Sequence, residues 1–74
     1  MNDYFIEDWR FNLMTEDFGA TQTDINNFMN ELAHEYGAKW APESDGYRLT
    51  GISEDAYIDL EDSLDDRISE MPIA

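Results

Sequence analysis

The segment TQTDINNFMNELAHEYG, residues 21–37, carries the clearest periodic pattern in the chain. Its apolar residues recur three and four positions apart, a spacing that places side chains on one face of an α-helix. They are Ile25, Phe28, Met29, Leu32, Ala33 and Tyr36. Candidate end residues flank this stripe, with Thr21 and Asp24, or Thr23 alone, as the N-cap and Gly37 as the left-handed residue after the last turn. The pattern predicts an amphipathic helix over residues 23–36.

The following segment, AKWAPESDGYRLTG, has the features of a β-hairpin. Asp45-Gly46 is a strong two-residue turn signal and favours a type I′ turn, in which both central residues have positive φ. The register expected from such a turn pairs Ser44 with Tyr47 and Glu43 with Arg48, the second as an ion pair. Pro42 lacks a backbone donor, so we expect the strand that contains Trp40 and Pro42 to lie at a sheet edge.

A second amphipathic pattern occupies SEDAYIDLEDSLDDRISEM, residues 53–71. Its apolar residues again repeat at steps of three and four: Tyr57, Leu60, Leu64, Ile68 and Met71. Ser53 is a suitable N-cap and Pro72 marks the end, because proline cannot continue a helix. We therefore predict a second helix over residues 54–70.

The N-terminal segment allows two interpretations. Trp9, Phe11 and Leu13 alternate with polar residues, as in a half-buried strand, whereas Phe5, Trp9 and Leu13 are four apart, as in a helix. We favour a strand near residues 4–14, because an isolated two-stranded hairpin is marginal in water and a third strand gives both helices a sheet to pack on. The predicted fold is α+β in the order β-α-β-β-α, with a three-stranded antiparallel sheet and two helices. The alternative order is α-α-β-β-α.

Length and composition place the chain among small folded proteins. The 74 residues suffice for one domain, residues 1–74, and 14% aromatic and 42% hydrophobic residues are more than disordered acidic segments usually contain. The absence of cysteine excludes disulfides and thiolate metal sites. No apolar run approaches the roughly 18 residues of a membrane span, and the N-terminus lacks the pattern of a signal peptide. We expect a cytoplasmic protein with no membrane partner.

Charge is the most unusual property of the sequence. Eighteen acids against four bases give a net charge of −14, whereas small soluble domains usually carry a net charge of about 2 to 8 in magnitude. Such a field repels nucleic acid and anionic membranes and accelerates encounter with basic surfaces. The expected partner is therefore a basic protein, and direct binding to nucleic acid is excluded.

The second helix concentrates this charge. Its eight acids span 17 positions, which is about 25 Å at a rise of about 1.5 Å per residue. One DNA strand carries a phosphate about every 3.4 Å, so the linear charge densities are similar. Four aspartates, Asp55, Asp59, Asp62 and Asp66, form a stripe on the side away from the apolar residues. Several i, i+4 pairs of like charge lower helix stability, which favours a functional reason for them.

We predict that these acids form the partner-binding surface, together with exposed aromatic anchors of the kind found at interface hot spots. The predicted acidic residues are Asp55, Asp59, Glu61, Asp62, Asp65, Asp66 and Glu70. The candidate anchors are Trp40 and Tyr47, for which packing in the core is the alternative interpretation. Further acids crowd the N-terminal segment, namely Asp3, Glu7, Asp8, Glu16 and Asp17. If this segment lies beside the acidic helix, the two could form parallel acidic tracks.

Catalytic and metal-binding patterns are weak. The Glu31 to His34 spacing occurs in di-iron bundles, but that chemistry needs a second such motif, and the chain has one histidine. The loop around Gly46 resembles an EF-hand only in its glycine, because Ala41 and Ile52 occupy the positions of the first and last acidic ligands. We predict no enzyme activity, no cofactor and no metal site.

In small size, lack of cysteine and phosphate-like spacing of acids, the chain resembles the DNA-mimic inhibitors of phages and mobile elements, which include anti-CRISPR and anti-restriction proteins. The order of elements that ends in an acidic helix is also similar to that of the small SOS-response inhibitor of the bacterial recombinase. Both resemblances imply an inhibitor that acts in the bacterial cytoplasm and occupies a basic nucleic-acid-binding surface.

Two functions follow from the sequence. The first is a stoichiometric inhibitor of a host defence complex, with an anti-CRISPR protein as the leading candidate. The second is a regulatory adaptor that binds one DNA-processing protein, such as a recombinase or restriction enzyme, through its hairpin. Steep salt dependence is expected of the first and weak salt dependence of the second.

Overall fold

The chain folds as a three-stranded antiparallel sheet with its helices packed on one face, as described for all residues 1–74 by a computed structural model. Its elements are β1 (Asn2–Glu7), a 3-10 turn (Asp8–Phe11), α1 (Asn12–Asp17), α2 (Gln22–Glu35), β2 (Lys39–Glu43), β3 (Gly46–Ile52) and α3 (Glu54–Ser69). The predicted α+β class and the three-stranded sheet are confirmed. The structure has three helices, because α1 follows the first strand.

The predicted strand over residues 4–14 is wrong beyond Glu7. In the ladder between β1 and β3, Glu7 is opposite Gly46, the first residue of β3, so the partner strand ends there. Only one more bond forms, from the Asp8 amide to the Asp45 carbonyl at 3.0 Å. The backbone beyond Glu7 then satisfies its own hydrogen bonds as a 3-10 turn followed by α1. The strand interpretation therefore holds up to Glu7, and the helix interpretation holds for the residues that follow.

The hairpin exists, but its loop lies one residue earlier than predicted, so each residue of β2 pairs two positions away from its predicted partner on β3. Glu43 is opposite Gly46, so Ser44 and Asp45 form the loop. No residue other than glycine has positive φ, and Gly46 is not among the positive-φ glycines, so the type I′ turn and the direct pairs predicted from it are wrong. The Glu43–Arg48 ion pair does form, at 2.6 Å, between diagonal neighbours. The strand order β1-β3-β2 confirms β2, with Pro42, as an edge strand.

Gly46 is required by close approach of the chain. A side chain at this position would meet the ring of Phe5, whose Cζ atom lies 2.6 Å from the position of a Cβ, and also the carbonyl oxygen of Ile6. The glycine therefore lets β1 pass close to the start of β3. Its role is packing between strands, not the turn conformation.

A β-bulge at the end of β3 turns its last residue into the core. Tyr4 is opposite Leu49 and Asn2 is opposite Ile52, so β3 has one residue more than β1 between these pairs. Gly51 lies in this stretch with a φ of 79°. The extra residue reverses the alternation, and as a result Ile52 is buried on the same side as Leu49.

The two long helices begin with side-chain caps, as predicted. Thr21 and Asp24 form a reciprocal capping box at the start of α2, and the Ser53 hydroxyl accepts a bond from the Ala56 amide at 3.1 Å. Gly37 ends α2 with a φ of 63°. Each boundary of α2 and α3 lies within one residue of the predicted one.

The core lies between the helices and the inner face of the sheet. Phe11 is at its centre and makes edge-to-face contacts with Phe28 of α2, at a centroid distance of 5.7 Å, and with Tyr47 of β3, at 5.5 Å. The C-terminal residues return to the start of α2, where the Ala74 amide donates to Asp24. None of the helices has the length and apolar character that crossing a bilayer requires.

Candidate acidic binding surface

The α3 helix presents its carboxylates to solvent because its apolar residues face the sheet. Ala56, Leu60, Leu64 and Ile68, four residues apart, are all buried. The remaining faces carry seven acids, and Glu70 directly follows the helix. All eight are exposed: Glu54, Asp55, Asp59, Glu61, Asp62, Asp65, Asp66 and Glu70. The prediction that this helix exposes its acids is confirmed.

On the side towards α2, Asp59 belongs to an ion-pair network. Arg67 donates to Glu35 at 2.8 Å and to Asp59 at 3.2 Å, and its guanidinium also reaches the Tyr36 hydroxyl at 2.8 Å. The Tyr36 hydroxyl in turn donates to Asp59, which lowers the pKa of that carboxyl, as Arg67 also does. Burial, followed by the bond to Asp59, raises the pKa of Tyr36. Asp59 therefore joins α3 to the end of α2.

On the opposite side, Asp65 faces the N-terminal segment. Arg10 of the 3-10 turn donates to Glu7 at 2.5 Å and lies 3.4 Å from Asp65. The bond from Arg10 lowers the pKa of Glu7. Asp65 is thereby linked to the N-terminal segment, though its side chain stays largely in water.

The three arginines are all engaged within the protein. Arg10, Arg48 and Arg67 together pair with five of the 18 carboxylates, and Lys39 is the one Lys or Arg side chain without an ion pair. Five acids of α3 and Glu70, which follows its last residue, have no ion pair: Glu54, Asp55, Glu61, Asp62, Asp66 and Glu70. We call these six residues the open acidic face.

No protein-family model, curated protein or solved structure matches this chain. The geometry of its own surface is therefore what bears on function.

Of the predicted aromatic anchors, Tyr47 is not exposed. It is 7% accessible, packs on Phe11, and its hydroxyl is 3.0 Å from the side-chain nitrogen of Gln22. Trp40 is half-buried against the core, and its indole N–H donates to Asn30 at 2.7 Å. Both residues point to the inner face of the sheet, because Trp40 is opposite Leu49 and Tyr47 is opposite Ile6. The prediction of an exposed Tyr47 is wrong.

The large apolar side chains that are exposed were not among the predicted site residues. Besides the terminal residues Met1 and Ile73, they are Trp9, Leu13 and Phe18 in the first half of the chain and Ile58 on α3. Trp9 and Leu13 fit the apolar alternation of a half-buried strand, which predicts buried side chains, so the sequence pattern did not indicate that they are exposed. Ile58 lies outside the predicted apolar stripe of α3, and this position in the sequence indicates that its side chain is exposed.

The N-terminal segment lies beside α3, as the idea of parallel acidic tracks required. Tyr4 of β1 makes an edge-to-face contact with Tyr57 of α3 at 5.1 Å, and Arg10 approaches Asp65. The Arg10 guanidinium lies where the N-terminal segment meets α3. Of the N-terminal acids, only Glu7 is in an ion pair, and the others are exposed: Asp3, Asp8, Glu16 and Asp17.

No group of three or more histidine, aspartate or glutamate side chains is arranged to hold a metal ion. His34 is exposed on α2. A row of exposed carboxylates can bind guanidinium and ammonium groups through charge-assisted hydrogen bonds, and Arg pairs best with two oxygens at once. The exposed carboxylates of this surface are hydrogen-bond acceptors for such cationic groups.

Proposed function

We propose that the protein is a stoichiometric inhibitor that presents α3 as a nucleic-acid mimic to the basic binding surface of a bacterial defence complex. A CRISPR effector, acting in the bacterial cytoplasm, is the leading target. Restriction enzymes and recombinases belong to the same class of basic nucleic-acid-binding proteins and are the further targets to be tested.

The observation that carries this proposal is the open acidic face. Five carboxylates of α3, together with that of Glu70 just after its end, form no ion pair with any cation of the protein. A surface that served only solubility would gain from intermingled lysines, because opposite charges at i, i+4 stabilise a helix. The arginines instead anchor the edges of α3 through Asp59 and Asp65 and leave its outward side anionic.

Inhibition would follow from occupation of the nucleic-acid groove. Long-range attraction raises the association rate, and the carboxylates then take the places of phosphates on arginine and lysine side chains. A rigid helix held by its core contacts loses little conformational entropy on binding. No reaction is required, so inhibition is expected to be complete at one inhibitor per groove.

The hairpin is less suited to partner binding than α3. Its large apolar residues, Trp40, Tyr47 and Leu49, face the core. The outer side carries mainly short or charged residues, such as Ala41 and Thr50. This arrangement favours the inhibitor over the adaptor that binds through its hairpin.

The test is a binding and nuclease-inhibition assay on a panel of purified CRISPR effectors, restriction enzymes and a recombinase. We expect one target to bind with an affinity that falls steeply with salt, and its nucleic acid to compete. The variant Asp55→Lys/Asp62→Lys/Asp66→Lys should lose inhibition. These three positions avoid Asp59, which the fold uses.

A matched control variant changes the net charge by the same amount, but at positions outside α3. The variant Glu16→Lys/Asp17→Lys/Glu31→Lys replaces three exposed acids outside α3 that have no ion pair. We expect it to retain inhibition, with a slower association rate. Equal loss of inhibition in both variants would show that net charge matters and the position of the acids does not, which would contradict mimicry by α3.

A further inference from the structure

Trp9 is an exposed aromatic residue at the edge of the acidic surface. Its side chain is 60% accessible, although tryptophan is usually among the more buried residues. Its indole N–H makes no hydrogen bond within the protein, in contrast to that of Trp40, which donates to Asn30. The fold therefore gains little from an indole at position 9.

The position of Trp9 relative to α3 is set by its neighbour. The Arg10 guanidinium carbon lies 5.1 Å from the centre of the Trp9 ring, and the same guanidinium is bound to Glu7 and approaches Asp65 of α3. This contact joins the indole to the flank of the acidic helix. The exposed indole therefore lies near Asp65, on the side of α3 that faces the N-terminal segment.

Sites that bind single-stranded nucleic acid combine two features that are complementary to carboxylates and to an exposed aromatic ring. They have a cationic groove that follows the backbone and aromatic side chains on which successive bases stack. Proteins that read duplex DNA contact phosphates and the edges of bases that remain stacked in the helix. An exposed indole at the flank of a helix that carries a line of carboxylates is complementary to the first arrangement.

We propose that Trp9 acts as a mimic of an unstacked base, and that the partner is a protein whose groove holds a single strand of nucleic acid. This inference rests on the proposed function and narrows its target class. The carboxylates of the open acidic face occupy the phosphate positions, and the Trp9 indole stacks on an aromatic residue of the groove. Arg10 acts as a positioning residue for the indole.

The first experiment uses two defined 16-residue peptides as probes, one of lysine alone and one with phenylalanine at every fourth position. Binding is measured by calorimetry at low salt for the wild-type protein, Trp9→Ala and Trp9→Phe. We expect the wild type to bind the phenylalanine peptide about fivefold to tenfold more tightly than the lysine peptide. Trp9→Ala should lose this preference, and Trp9→Phe should keep most of it.

Phe18→Ala is the matched control, because Phe18, which directly follows α1, is an equally exposed aromatic residue with 61% accessibility. It should keep the preference for the phenylalanine peptide. A wild-type protein that binds both peptides equally, or a Trp9→Ala variant that keeps the preference, would overturn the role of Trp9. Failure of the lysine peptide to bind in a salt-dependent manner would instead overturn the proposed function.

The second experiment tests the single-strand target. The protein is immobilised, loaded with bacterial lysate at low salt, and eluted with either 30-nucleotide oligo(dT) or a DNA duplex at equal phosphate concentration. We expect proteins that the single strand releases and the duplex does not, and we expect a Trp9→Ala column to retain less of them. Equal release by the duplex, or equal retention on the Trp9→Ala column, would overturn the inference.

Discussion

The ring of Phe5 lies across Gly46, in the space that a side chain at residue 46 would occupy. This contact joins β1 to the first residue of β3 and fixes the register of the sheet at one end. Position 46 can therefore accept no residue larger than glycine without displacement of the backbone.

Gly46→Ala should destabilise the protein by about 2 kcal/mol or more, because the methyl group meets the Ile6 carbonyl oxygen as well as the Phe5 ring. For a domain of this size, this loss lowers Tm by roughly 4–8 °C per kcal/mol, measurable by circular dichroism. The double variant Phe5→Ala/Gly46→Ala should recover little, because the carbonyl oxygen remains. A melting temperature of Gly46→Ala equal to that of the wild type would contradict this account.

Two aspartates of α3 should respond oppositely to charge reversal. Asp66→Lys removes a like-charge pair with Asp62 and places a cation in the last turn, so we expect a gain of about 0.5 kcal/mol. Asp59→Lys should destabilise, because it removes the acceptor of the Tyr36 hydroxyl and places a cation beside Arg67. Urea denaturation of both variants checks this, and equal effects would refute the division of α3 into engaged and open acids.

Arg67→Lys should destabilise by about 1 kcal/mol, because an ammonium group cannot make the several bonds that the guanidinium makes to Glu35, Tyr36 and Ser63. Tyr36→Phe removes only the hydroxyl and should cost less than Arg67→Ala. Chemical denaturation at pH 7 measures both effects. If Arg67→Lys is as stable as the wild type, the link between α2 and α3 depends on charge alone.

The capping box should make stability depend on pH. Asp24 is 3% accessible, and its bonds from the Thr21 and Ala74 amides lower its pKa below the usual range. Because the folded-state pKa is the lower one, this contribution is complete above the unfolded value of about 4 and is lost as pH falls through the folded value.

Asp24→Ala should therefore be less stable than the wild type at pH 7, with a difference that shrinks as pH falls below about 4. Urea midpoints at pH 7, 4 and 3 measure this difference. Thr21→Ala, which removes the other half of the box without removing the titrating group, should cost about 1 kcal/mol at pH 7. A constant difference between wild type and Asp24→Ala across this range would exclude the ionised carboxylate as the cause.

The elements that could be predicted from sequence are those with local causes. The α2 and α3 helices combine an apolar period with caps that lie within three residues of the helix start, so both were placed to within one residue. The hairpin was found but not its register, because the deciding contact is between Gly46 and residues 5 and 6, about forty positions away. The end of β1 likewise depends on where β3 begins.

The same reasoning applies to the candidate site. Exposure of the α3 acids follows from the helical period alone and was predicted. The engagement of Asp59 and Asp65 depends on arginines that the fold brings from α3 itself and from the N-terminal segment, so it could not be read locally. Trp9 resembled a strand residue until the change to a 3-10 turn placed it at the surface.

The internal use of every arginine has a consequence for how molecules of this protein meet one another. Each copy offers a neighbouring copy an anionic exterior and one unengaged lysine, Lys39, so mutual repulsion opposes self-association. The protein should therefore stay dispersed even when it accumulates to high concentration. Every copy then keeps its α3 helix available for a target of opposite charge.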